Sequence, residues 1–250
     1  MIGLNDVPRP DELTDELVIQ LTQKFKTTGE AVWKKAFIMD KLLEVTHKKC
    51  AFSECLLLEE GKYPEVEHFH PKSLYPDEVV DWSNLLPISS ACNKAKGDHD
   101  TKNEPIINPR YDTPKEHLYF QGYRFKAKSE QGQRTIDVFD LNNRKQWAEK
   151  RSDIGMKAVE ILEEIRNRLK EYDTSFSKTT LARNTIVRQL RNLFHAGIPN
   201  AEYSAVVASY LLHDDDFIVV KHLMQKNALW DSAFELLETQ MRFCALDVKE

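Results

Sequence analysis

The strongest constraint on this chain is a break in its hydrophobic rhythm. Helical periodicity runs from about Asp11 to His47 and returns well after Asn108, while residues 48–112 hold only short apolar stretches such as LLPIS. That middle segment carries Cys50, Cys55 and Cys92, and four of the ten prolines lie between Pro64 and Pro87 within it. Prolines at such density end strands and helices, so at most two short strands and one short helix are expected there. A stretch so poor in periodic core depends on a metal or on a neighbouring domain for its rigidity.

The flanks read more simply. Leu13, Leu17, Leu21 and Phe25 recur every four residues, and Trp33, Phe37, Leu42 and Val45 form a second amphipathic run after Gly29. Downstream, RTIDVFDL follows the turn SEQGQ and reads as a strand through Ile136, Val138 and Phe139. A long helix is expected over 144–172, with Ile154, Ala158, Ile161, Ile165 and Leu169 on one face. Further helices follow at about 178–195, 201–213, 216–226 and 228–245. The predicted fold is α+β and mainly helical: an N-terminal helical segment (1–47), a small α/β core (48–112), and a strand with a C-terminal helical region (113–250). Trp33, Phe37, Trp147, Trp230 and Cys244 sit at helical spacings with other apolar residues and read as core.

The opening MIGLNDVPRPDELTDE is acidic and lacks the apolar stretch of an export signal, and no apolar run approaches the roughly 18 residues of a membrane span. A cytoplasmic protein is expected, with cysteines used for metal binding or burial rather than disulfides. The net charge of −5 is unevenly spread: residues 123–191 carry 16 Lys or Arg against 10 acids, while residues 200–250 carry nine acids against four bases. A local basic surface suffices for phosphate contacts, so nucleic acid stays open as a partner. The acidic tail is expected to dock on a protein partner or on a second copy of the chain.

Chemistry concentrates in KCAFSECLLLEEGKYPEVEHFHPKS and DWSNLLPISSACNKAKGDHD. These hold an acid–histidine pair (Glu67, His68) ahead of Pro71, then Asn84, then Asn93 within CNKAKG. Phosphodiester hydrolysis needs a base that can take a proton from water near neutral pH, which suits histidine. It also needs a divalent cation beside the phosphate, and carboxylate and amide oxygens suit Mg²⁺. Neighbours on a strand leave opposite faces, so Glu67 and His68 serve one site only if the strand bends at FHP. Asn93 is expected to open a short helix and offer its amide oxygen to the same ion. Lys96, one turn later, is expected to meet a phosphate. His70 either assists substrate binding or faces solvent.

This order of residues resembles the ββα-metal site of HNH endonucleases, in the variant whose last motif residue is asparagine. EHFHPKS, DWSNLLP and CNKAKGD, followed by INPRYDTPKEHLYF and TIDVFDLN with Arg144 and Arg151, are similar to the PtuB-type HNH subunits of Septu anti-phage defence and to retron-associated HNH proteins. The likeness extends over about residues 33–155. It implies His68 as general base, Glu67 and Asn93 as ligands of one Mg²⁺ or Mn²⁺, and Asn84 as the asparagine that orders the loop. It also implies an ABC/SMC-like ATPase as partner. Many HNH domains hold a structural Zn²⁺ on two CxxC pairs; here Cys50 and Cys55 are wider apart, and Ser89 stands where the cysteine before Cys92 is expected. Two readings stay open: a Zn²⁺ on Cys50, Cys55 and Cys92 with His47 or His99 as fourth ligand, or thiols packed as small hydrophobes. DNA is favoured as substrate. An RNA- or tRNA-cleaving effector, or a zinc-stabilised adaptor without catalysis, are the competing functions.

Overall fold

In the computed structural model, which describes residues 1–5, 7–58 and 63–249, the chain divides into two compact units. The first comprises residues 3–117 and 127–141, the second 118–126 and 142–250.

The first unit begins with two helices, α1 (Asp15–Thr28) and α2 (Ala36–Val45). Thr14 caps α1 by accepting from the Leu17 amide, and Gly29 ends it at φ 71°, a left-handed conformation that costs glycine least. Leu13, Leu21, Ile38 and Leu42 from this region bury against Val79, Val80 and Leu85. The middle segment then forms a two-stranded antiparallel hairpin of β1 (Pro64–His68) and β2 (Leu85–Ser89), with Glu67 opposite Leu86 and His68 opposite Leu85. Helix α3 (Ser90–Lys96) follows β2 directly and packs on both strands. The expected two short strands and one short helix are thus found in the 48–112 segment.

After a short helical turn α4 (Pro114–His117), the first unit closes with α5 (Glu130–Val138). Here the expected strand RTIDVFDL is overturned: most of it is helix. Ser129 caps that helix by accepting from the Gly132 amide at 3.1 Å, and the buried positions are Gly132, Thr135, Ile136 and Phe139, a helical spacing. Two of those four are not hydrophobic, so the alternation of Ile136 and Val138 dominated the sequence pattern. A Cβ on Gly132 would lie 2.3 Å from the His117 carbonyl oxygen. Gly132→Ala is therefore expected to destabilise the protein by about 1–3 kcal/mol, read as a lower urea midpoint; an unchanged midpoint would contradict this close approach.

The second unit is a helical bundle with a small sheet. Strands β3 (Leu118–Gln121) and β4 (Arg124–Ala127) are joined by a turn at Gly122 and Tyr123, and the C-terminal β5 (Asp247–Lys249) pairs in parallel with β3. The helix α6 (Glu149–Thr174), preceded by a π-turn at Arg144–Ala148, packs against α7 (Thr180–His195), α8 (Ser204–His213) and α9 (Asp215–Lys226). The last helix, α10 (Ser232–Cys244), packs on α7 and α8. These helices match the expected ones. Arg151 is fully buried, with Nε donating to the Tyr123 carbonyl at 3.2 Å and the guanidinium 4.6 Å from the Phe125 ring. Cys244 is buried, as read from its spacing. Among the described residues no helix is long and apolar enough to cross a membrane.

Candidate active site

The site grows from the end of β1. That strand stops at His68, and a bend follows at Phe69 and His70. The bend lets Glu67 and His68, which a straight strand would send to opposite faces, line one cleft of about 620 Å³ together with Asn93 and Lys96.

Asn84 holds the bend. Its Nδ2 donates to the His70 and Glu78 carbonyls at 3.1 Å each, and its Oδ1 accepts from the His70 amide at 2.7 Å. Both of its side-chain polar atoms thus serve backbone groups of the loop. His70 itself is a structural tie. Its Nδ1 lies 2.7 Å from Thr101 Oγ1, whose hydroxyl donates onward to the Phe69 carbonyl at 2.9 Å. The hydroxyl must therefore accept from a protonated Nδ1, and His70 is not among the residues lining the cleft. The expectation that it meets substrate finds no support in this placement.

His68 is 4% exposed, with Nε2 2.9 Å from the Val79 carbonyl. A carbonyl only accepts, so Nε2 carries the proton and Nδ1 keeps its lone pair. The ring stands edge-on to Trp33, 4.6 Å between centroids. Burial, then the Lys72 charge, pulls its pKa down to about 3, so the imidazole is neutral and able to accept a proton.

Glu67 is 3% exposed and paired with Lys96 at 2.6 Å. Lys96 also donates to the His68 carbonyl at 3.0 Å. Its ammonium thus serves two groups of the protein, and this pairing does not favour the expectation that it meets a phosphate. Burial pushes the Glu67 carboxyl up to about 7, against the opposing pull of Lys96 and Lys72. One ammonium does not offset the cost of burying this carboxylate, and a divalent cation beside it would add the missing charge.

Asn93 donates through Nδ2 to Glu65 Oε2, which leaves its amide oxygen able to act as an acceptor or a ligand. Glu65 escaped the sequence reading, although it lies two residues before Glu67 and so on the same face of the strand. The pairs Asn93–Glu65 and Lys96–Glu67 show how α3 lies along β1, one helical turn matched to two strand residues. No group of three or more His, Cys, Asp or Glu is arranged to hold a metal ion among the described residues. Glu67 with the Asn93 amide, and Glu65 beside them, make a hard-oxygen set that suits Mg²⁺, which takes few protein ligands and keeps its waters.

Behind the site, Cys50, Cys55 and Cys92 come together. Cys50 hydrogen-bonds with Cys55, Cys92 and Ser53; burial raises its thiol pKa, but these bonds outweigh it and hold the thiol well below its usual range. Cys92 moves the other way, first through its bond to Cys50 and then through burial. Ser53 joins the thiols, its hydroxyl donating to the Cys55 sulfur at 3.3 Å. The His99 ring instead donates to the Glu104 carbonyl at 2.8 Å. Ser89 caps α3 by accepting from the Cys92 amide at 3.4 Å, a helix cap where a cysteine was expected.

The chain is 40% identical over 237 residues to the Septu protein PtuB of Bacillus thuringiensis, a match covering 95% of this chain and 92% of that protein. It is 28% identical over 167 residues to the Septu protein PtuB of Bacillus mycoides (strain KBAB4), covering 52% of this chain and 56% of that one. The first match runs far beyond the 33–155 span legible from motifs and takes in most of the C-terminal helical region. No protein-family profile matches the chain.

Proposed function

Because the chain belongs to the PtuB family of Septu proteins, we propose that it is a metal-dependent HNH endonuclease, the DNA-cleaving effector of an anti-phage defence complex with an ATPase. The observation that carries this is the convergence of a neutral histidine and a hard-oxygen set on one cleft, with His68 Nδ1 left unprotonated by the Val79 contact.

His68 Nδ1 would take a proton from the attacking water, which adds in line to phosphorus and leaves a 5′-phosphate and a 3′-hydroxyl. Glu67 and Asn93 would hold Mg²⁺ or Mn²⁺, which would supply charge neutralisation at the phosphate and the departing oxygen. Lys96 keeps the Glu67 carboxylate charged and in place, and Glu65 fixes the Asn93 amide with its oxygen available. Asn84 holds the bend that aims His68. Cys50, Cys55 and Cys92 cluster behind the site and would brace it as packed thiols, no metal-holding group of three being formed among the described residues.

Incubating the full-length chain, alone and with its ATPase partner, with plasmid, single-stranded DNA and RNA is the direct test. Cleavage of DNA in Mg²⁺ and none in EDTA is expected. Cutting confined to RNA would transfer the same chemistry to the other substrate. No cutting of any substrate in either setting would leave the adaptor function in its place.

A further inference from the structure

The cleft has two unlike walls. β1 and α3 present carboxylates and an amide, with Asp98 just beyond, while the opposite wall comes from the loop before α2 and from the residue after Pro71. That second wall carries Trp33, Lys34, Lys35 and Lys72. Lys34 and Lys35 are exposed and Lys72 is half-buried. Four other lysines of this unit are matched to acids: Lys24 to Glu30, Lys26 to Asp77, Lys41 to Glu44 and Lys102 to Glu78. None of the three wall lysines makes an ion pair among the described residues. Lys34 and Lys35 therefore have no acid at ion-pair distance among the described residues, and Lys72 acts on Glu67 only through space.

Without that wall a polyanion would be repelled by the acids it must approach. Trp33 organises the wall. Its ring lies 5.2 Å from the Lys72 ammonium and 4.6 Å from the His68 ring, so one indole sets both the cation and the imidazole. It was read from sequence as core, yet it is only partly buried and lines the cleft.

We infer that Lys34, Lys35 and Lys72 form a phosphate-holding wall that seats the nucleic-acid backbone beside the scissile phosphate, with Trp33 as the positioning residue beneath Lys72. This rests on the nuclease function proposed above and names the residues that grip its substrate, in place of Lys96 and His70.

The test uses the full-length chain and a fluorescein-labelled single-stranded oligodeoxynucleotide, in EDTA so that binding is read without cutting, across a range of KCl. Lys34→Ala/Lys35→Ala/Lys72→Ala is expected to weaken binding by about tenfold or more and to flatten the log–log salt dependence by about 2, near 0.7 per lost phosphate contact. The triple arginine variant should restore both. In Mg²⁺, the alanine variant should raise KM far more than it lowers kcat. Trp33→Leu should weaken binding in the wild-type background but add little once Lys72 is alanine, the non-additivity that marks a residue acting through Lys72. Since the lysine side chains are in no ion pair, the variants should melt with the parent.

Equal affinity and salt slope in the alanine variant, with the parent still cutting, would overturn the wall and leave the nuclease intact. A parent that neither binds nor cuts nucleic acid, alone or with its ATPase partner, would overturn both. Additive effects of Trp33→Leu and Lys72→Ala would remove the positioning role.

Discussion

His68→Ala is expected to lower the cleavage rate by about 10²- to 10⁴-fold, the usual contribution of a positioned general base. The expectation follows from the hydrogen-bond chemistry of the ring. Its Nε2–H is committed to the Val79 carbonyl, so Nδ1 is the atom able to accept a proton. Burial and the Lys72 charge keep the ring neutral throughout the physiological range. The same burial means that the alanine variant loses a hydrogen bond and the edge contact with Trp33, at a cost of about 1–3 kcal/mol. A melt run beside the kinetics separates the two effects, because a folded variant at the assay temperature ties the lost rate to the missing base. Added imidazole should restore part of the rate to the alanine variant, as it can enter the vacated space and accept the proton. A variant that cuts at the parental rate would remove His68 from the mechanism altogether.

How much of this was legible in the sequence depended on whether a role is local. Asn84 reads from its motif, and its bonds to His70 and Glu78 stay within the loop it orders. The convergence of Cys50, Cys55 and Cys92 was legible from spacing, because two of them share one tight turn closed by the Cys50 amide on the Cys55 carbonyl at 2.9 Å. The pairing of Lys96 with Glu67 could not be read, because it is set by how α3 lies along β1, a tertiary relation invisible in spacing alone. Trp33 packs on the core cluster, as its apolar spacing suggested, but it sits in the turn before α2 rather than in a helix and so also lines the cleft. The small sheet went unseen because β3 and β4 are four residues each and β5 pairs with β3 from the far end of the chain. Short strands give the alternation signal too few residues to register.

Lys96→Met should convert the stability of the first unit into a steep function of pH. Breaking a buried ion pair by removing one partner costs about 3–5 kcal/mol when the remaining charge stays ionised. Glu67 can escape that cost by protonating, so the penalty must depend on pH. In the parent its folded pKa, about 7, lies above the ordinary carboxyl value of 4.5. The folded state therefore holds that proton more tightly, and the stability it confers is complete below about 4.5 and lost as pH rises through about 7. His68 acts in the opposite sense. Its folded pKa of about 3 lies below 6.5, so its contribution is complete above 6.5 and lost as pH falls through about 3. Between 4.5 and 6.5 the two slopes oppose each other in the parent. Removing Lys96 raises the Glu67 pKa further, extending its loss of stability above neutral pH, where His68 offers no compensation. In EDTA, urea unfolding should show a small deficit for Lys96→Met at about pH 5 and one of about 3–5 kcal/mol at about pH 9. Adding Glu67→Gln should erase the pH dependence of that deficit, since no charge is then left to bury. A deficit equal at both pH values would mean that Lys96 contributes packing alone, and that the Glu67 carboxylate draws its counter-charge from elsewhere in the cleft.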